Sequence, residues 1–146
     1  MTPTLRRATL LATLIFSSLL HAEEEYRIEM WHSETTWAGQ GACSAAFSFD
    51  IGAMADLLED IQIHIALVDR AGRRIGKGVL KLESLGGANV NRYGSASLES
   101  EAACDENATV IVEKATARDG NKRIDLIKSK RLTARNFRPM NIRIGK

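Results

Sequence analysis

The sequence is poor in the residues that usually announce chemistry. Two cysteines, two prolines and three histidines are spread through 146 residues, and aromatic side chains make up only 5%. The cysteines, Cys43 and Cys104, form no CxxC pair and have no paired histidines nearby, so metal binding is not indicated and no metal is expected. No serine sits in a G-x-S-x-G elbow, which removes the commonest hydrolase signature. No cofactor motif is present, and no cofactor is expected. There is no internal repeat, no low-complexity tract and no proline-rich linker. No basic block rises above the neutral background, so nucleic acid is not an expected partner.

The one long apolar run lies at the start. Arg6 and Arg7 precede a stretch from Ala8 to Leu20, and Leu20-His21-Ala22 ends in a small residue. That run is too short to span a bilayer and suits the core of a secretory signal cut after Ala22. The competing reading is an uncut membrane anchor. Removing residues 1–22 takes away Arg6 and Arg7, which brings the 20 basic residues level with the 18 acidic ones. Residues 23–146 then make one neutral domain, secreted or periplasmic in a Gram-negative bacterium and free of the membrane after cleavage. In an oxidising compartment the two cysteines are expected to pair, with free thiols as the alternative. Closing such a loop of about 60 residues contributes about 4 kcal/mol in the chain-entropy picture.

Period-2 patterning dominates the rest. In Ala42–Ile51 the residues Cys43, Ala45, Phe47, Phe49 and Ile51 share one face, and Ser44, Ser48 and Asp50 the other. Further strands are expected over Tyr26–Trp31, Ile61–Asp69, Ile75–Leu85, Arg92–Cys104, Thr109–Ala117, Lys122–Ile127 and Met140–Ile144. In Arg92–Cys104, parity turns Cys104 inward. His32–Gly41 reads as a polar connection, Gly52–Asp60 as a short helical or irregular link, and Lys128–Pro139 as a basic irregular segment. Gly76 and Gly78 suggest a bulge or bend. Asp69–Arg73 and Asp119-Gly120 read as hairpin turns. Seven to eight strands and no long helix predict an all-β, two-sheet antiparallel sandwich. No tryptophan lies between the cysteines and Ala102 stands where a tyrosine corner needs tyrosine, so a fibronectin-III-like arrangement fits better than a standard immunoglobulin domain.

Met30-Trp31-His32-Ser33-Glu34-Thr35-Thr36-Trp37 leads to Gly41-Ala42-Cys43-Ser44 and a Phe47-x-Phe49 strand. A second cysteine follows near Glu101, and Lys130-Arg131-Leu132-Thr133-Ala134-Arg135-Asn136-Phe137 comes late in the chain. This order resembles the interleukin receptor mimic protein A (IrmA) family of small secreted bacterial proteins. The resemblance implies a fibronectin-III-like sandwich, a homodimer formed by strand exchange, binding of host immune proteins of the cytokine type, and no enzyme activity. No family binding residue is carried over to a position here.

The residues themselves offer few sites. Trp31 and Trp37 are candidate protein contacts, because large aromatics anchor interfaces as well as cores. Trp37 reads either as a plug over the open end of the sandwich, the favoured reading, or as an exposed anchor. Trp31 opposes Ile28 and Met30 in parity, so either it or they face out. His64 is a possible contact on an outer strand face. A small periplasmic enzyme or enzyme inhibitor would instead need His32 or His64 beside a nucleophile or carboxylate. A fimbrial subunit is a weaker option, since the strand set looks complete. The cations of Lys128–Arg138 read as a solvated loop, and Asn107-Ala108-Thr109 is a formal but meaningless sequon.

Overall fold

The structure is a computed structural model that describes residues 26–137 and 140–146. The expected signal segment, residues 1–22, lies outside the described residues, as do Arg138 and Pro139. Among the described residues nine strands form two sheets: β1 (Ile28–Gly39), β2 (Ala42–Asp50), β3 (Leu58–Val68), β4 (Arg74–Leu85), β5 (Tyr93–Ser100), β6 (Thr109–Asp119), β7 (Lys122–Asp125), β8 (Leu132–Ala134) and β9 (Asn141–Ile144). Their order is β5-β2-β1-β8 in one sheet and β4-β3-β6-β7 in the other, where β9 also pairs with β6. The all-β, two-sheet sandwich expected from the pattern is present, with nine strands among the described residues instead of seven or eight. Two ladders among the described residues, β1 with β8 and β6 with β9, are parallel, and the other five are antiparallel.

Alternation places the core. Phe47, Phe49, Ile28 and Met30 from one sheet meet Ile61, Ile63, Ile65, Leu67, Leu80 and Val110 from the other, all essentially inaccessible to water. Each such side chain contributes about 2 kcal/mol on burial, so the aliphatic and phenylalanine rows supply most of the drive to pack the sheets. On one side of the sandwich the edge strands β4 and β5 close together over glycine. A Cβ on Gly78 would stand 2.3 Å from Leu98 Cδ1, and one on Gly94 would stand 2.6 Å from Leu82. Their missing side chains give the leucines room, a use the sequence hid behind a bulge signal. The register does slip beside Gly76, which pairs with Leu67, but Gly78 pairs regularly with Ile65.

Four expectations change. His32–Gly41 is not a connection: β1 continues to Gly39 through a bulge between His32 and Glu34, and Gln40 and Gly41 make the turn at positive φ. Beyond the core a hairpin arm needs β-forming side chains, here Thr35, Thr36 and Trp37, but no apolar alternation. Cys104 does not continue β5 inward. That strand stops at Ser100, whose hydroxyl accepts from the Ala103 amide at 3.1 Å, and Ala102–Cys104 form a 3-10 turn. Ala103 takes the core place and Cys104 is exposed. The bridge to Cys43 forms nonetheless, with Cα atoms 5.1 Å apart. Lys128–Pro139 is not wholly irregular, because Leu132 is buried and β8 pairs with β1. Gly52–Asp60 holds no helix, and its last three residues belong to β3.

Candidate protein-contact surfaces

The outer face of the four-stranded sheet is built by register. Directly paired residues share a face, so its cross-strand rows read Glu29–Asp50–Tyr93, Trp31–Ser48–Ser95, Glu34–Ala46–Ser97 and Thr36–Ser44–Glu99. None of β1, β2, β5 and β8 contains a lysine or an arginine. Trp31 is half-buried and lies on this face, while Ile28 and Met30 point inward, which resolves the parity question. The Phe137 ring meets Trp31 edge-on at 6.4 Å and is itself half exposed. The Ser48 hydroxyl donates to Ser33 Oγ at 3.0 Å, and Ser33 donates to the Ala46 carbonyl at 3.1 Å, which fixes the small side chains as a floor.

One end of this face is an arginine–carboxylate network. Arg92 grips Asp50 with two hydrogen bonds of 2.7 and 2.8 Å, and Asp50 also accepts from the Gly52 amide at 2.8 Å. Arg92 stacks over Tyr93 at 4.8 Å, and Arg135 pairs with Glu29 at 2.7 Å. A cleft of about 450 Å³ opens here, lined by Arg27, Glu29, Asp50, Gly52, Arg92, Thr133 and Arg135. The Arg92 hydrogen bonds, with help from Gly52 and against burial, hold the Asp50 carboxyl below its ordinary value of 3.8.

Trp37 is 69% exposed. It pairs with Cys43 and so shares the core-side parity, but the hairpin arm carries it past the end of the core. The expected plug is therefore an exposed tryptophan beside the disulfide. His64 lies outside the five-stranded sheet between Val79 and Lys114, in a shallow depression of about 290 Å³ with Lys77 and Glu113. Glu113 is engaged by Arg74. His32 is buried inside the other sheet, 1% exposed, with its Nε2 2.8 Å from Thr35 Oγ1 and its ring 5.6 Å from that of Phe47. Nδ1 has no partner among the described residues. Burial pushes the His32 pKa below 6.5, against opposing effects of the Glu34 backbone and carboxylate. One histidine faces the core and the other faces out, so the two do not converge on a common cleft.

The basic segment is structural in part. Arg131 donates to the Tyr26 carbonyl at 3.1 Å and to Asp119 at 3.3 Å, tying β8 to the β6–β7 turn. Asn107 accepts from Arg70 at 2.7 Å. Among the described residues no group of three His, Cys, Asp or Glu side chains is placed to hold a metal, and no helix is long and apolar enough to cross a membrane. Reading single motifs missed the serine–aromatic face, because it exists only across strands. The signal that could have found it is the lack of lysine and arginine in β1, β2 and β5.

Fold and bridge together define a small immunoglobulin-like β-sandwich braced by one disulfide. Within that class, the family described as interleukin receptor mimic protein A matches residues 28–134, and the chain belongs to it. A solved structure described as IrmA from Escherichia coli is similar at 27% identity, with a TM-score of 0.66, over 81% of this chain and 98% of that one. No curated protein matches.

Proposed function

We propose that the protein is exported, with cleavage after Ala22 leaving the sandwich domain 23–146, and that it works outside the cytoplasm by binding another protein. In this reading the partner is a host immune protein of the cytokine type and the chain acts as a receptor mimic. What carries the reading is membership of a family described by interleukin receptor mimicry, matched from the first residue of β1 to the last of β8. A face rich in serine with tryptophan, tyrosine and arginine at its margins supports it, since antibody paratopes are rich in serine and tyrosine and interface hot spots in tryptophan, tyrosine and arginine. The test is capture of the exported, oxidised protein on a panel of immobilised interleukins, with a reduced sample as control. Binding to at least one is expected, and binding to none sinks the reading.

A homodimer belongs to the same proposal. β5 is an edge strand with eight consecutive pairings to β2, no register shift, no lysine and no proline, so nothing on it blocks pairing with another chain. A dimer in gel filtration at micromolar concentration, unaffected by salt, is expected; a monomer counts against strand exchange. The alternative of a small enzyme or inhibitor is weakened because His32 is closed off from solvent and the carboxylate beside His64, Glu113, is engaged by Arg74. Replacing both histidines by glutamine is expected to leave binding intact.

A further inference from the structure

We propose that the outer face of the four-stranded sheet is the docking surface, and that its occupant is a protein segment presenting lysine or arginine side chains around a compact apolar contact. This deepens the binding reading above and rests on it.

The argument begins with charge. Four carboxylates stand on this face, Glu29, Glu34, Asp50 and Glu99, and no cation comes from its own strands. Arg135 and Arg92 neutralise Glu29 and Asp50 at one end. Glu34 and Glu99 join no ion pair among the described residues, and they sit on the two strands that flank β2. Between them lie only Ala46, Ser44 and Ser97, side chains too short to obstruct an approaching surface. The apolar element is one row away, where Trp31 and Phe137 meet edge to face. A partner that sets an aliphatic side chain against these rings brings its neighbouring cations over Glu34 and Glu99. An acidic partner would meet uncompensated carboxylates, and like-charge contact of that kind selects against it.

The opposite face of the sandwich is the internal control. Lys77, Lys81 and Lys114 stud it with only Glu83 against them, so a cationic segment that suits the first face meets like charge on this one. The proposed face is small. Three strands at ~4.8 Å spacing, over a length of roughly 25 Å, give a few hundred Å², below the ~800 Å² per partner of a standard interface. Affinity is therefore expected in the micromolar range, weakening as salt screens the two glutamates.

The experiment uses the exported, oxidised protein, labelled with nitrogen-15, and two synthetic amphipathic helices that share a leucine stripe. One helix is flanked by lysine and the other by glutamate. The lysine helix is expected to shift the Trp31 indole and the Ser48 and Ser97 amides, and the glutamate helix to leave them in place. The double change Glu34→Lys with Glu99→Lys should weaken the lysine helix at least about tenfold, while Lys77→Glu with Lys81→Glu changes nothing. No shift, an equal response to both helices, shifts confined to the five-stranded sheet, or a face already covered by a second copy would each overturn the proposal. An interleukin that still binds the Glu34→Lys, Glu99→Lys protein at full strength keeps the function and removes this surface. Lysine-helix binding with no interleukin bound keeps the surface and removes the function.

Discussion

The two sheets are held together by the same core but finished in different ways. The five-stranded sheet is conventional. Isoleucine, leucine and valine line its inner side, and its outer side and rim carry ion pairs such as Arg118–Glu59, at 3.2 Å, and Arg123–Asp60, with both partners well exposed. Exposed pairs of this kind contribute little, and their value lies in solubility. The four-stranded sheet presses two phenylalanines and a histidine inward. It is pinned at one end by a disulfide and at the other by half-buried arginine–carboxylate pairs, and it leaves a serine floor facing water. One layer spends its polar residues on being soluble; the other keeps a surface free of lysine.

If the four-stranded layer depends on its aromatics, Phe47→Ala should be the most damaging single change. Removal of a fully buried phenylalanine beside His32 costs up to about 5 kcal/mol. Denaturant unfolding measures it, and a loss no greater than that of a conservative Ile63→Val change would erase the distinction. Next comes the bridge. Alanine at both Cys43 and Cys104 opens a loop with a sequence separation of 61, worth about 4 kcal/mol in the chain-entropy picture. Hydrogen exchange should show protection lost first in the β1–β2 arm and at the end of β5, before β3 and β6. Uniform loss across both sheets would mean that the bridge braces the whole sandwich and not this layer.

Most of the fold was legible because alternation is a local signal. Phe47 and Phe49, the Ile61–Leu67 row and Val110 with Val112 all took the faces their parity assigns. What was illegible depends on partners distant in sequence. β8 is three residues among cations and exists because Ile28 and Met30 offer a parallel edge. Cys104 could not be placed by parity once β5 had ended at Ser100. Trp37 kept the right parity and the wrong depth, since no local rule says where a hairpin outruns its core. The candidate face was hidden for the same reason: Ser48 means little until Trp31 stands on one side of it and Ser95 on the other.

The buried histidine sharpens the contrast through pH. The folded pKa of His32 is depressed below the ordinary 6.5, so protons bind the unfolded chain more readily. Stability is then full above pH 6.5 and falls as pH drops from there through the folded value. The loss is at most about 2 kcal/mol at pH 5, the limit reached if the folded chain never takes the proton. His32→Gln should flatten the stability–pH profile over this range in denaturant titrations. An unchanged profile in that variant would show that burial of His32 has no titration consequence.

The smallest effect tests the charged end of the same sheet. The Asp50 carboxyl is held below 3.8, chiefly by the Arg92 hydrogen bonds, so the stability it contributes is present above that value and lost as pH falls through the folded one. Because Asp50 and Arg92 are both partly screened by water, Asp50→Asn should cost about 1 kcal/mol near neutral pH. It should also remove the acid-side loss that the carboxylate produces. The Gly52 amide keeps an acceptor in the asparagine side chain, but Arg92 loses its charged partner. The link between β2 and the Gly86–Arg92 turn should therefore loosen, and exchange of the Gly52 and Arg92 amides should speed up. Asp60→Asn breaks a pair on the five-stranded sheet that stands in open water, and it should leave the midpoint unchanged. If the two asparagine variants unfold alike, Asp50 is one more surface charge, and the two sheets differ in their faces but not in what fastens them.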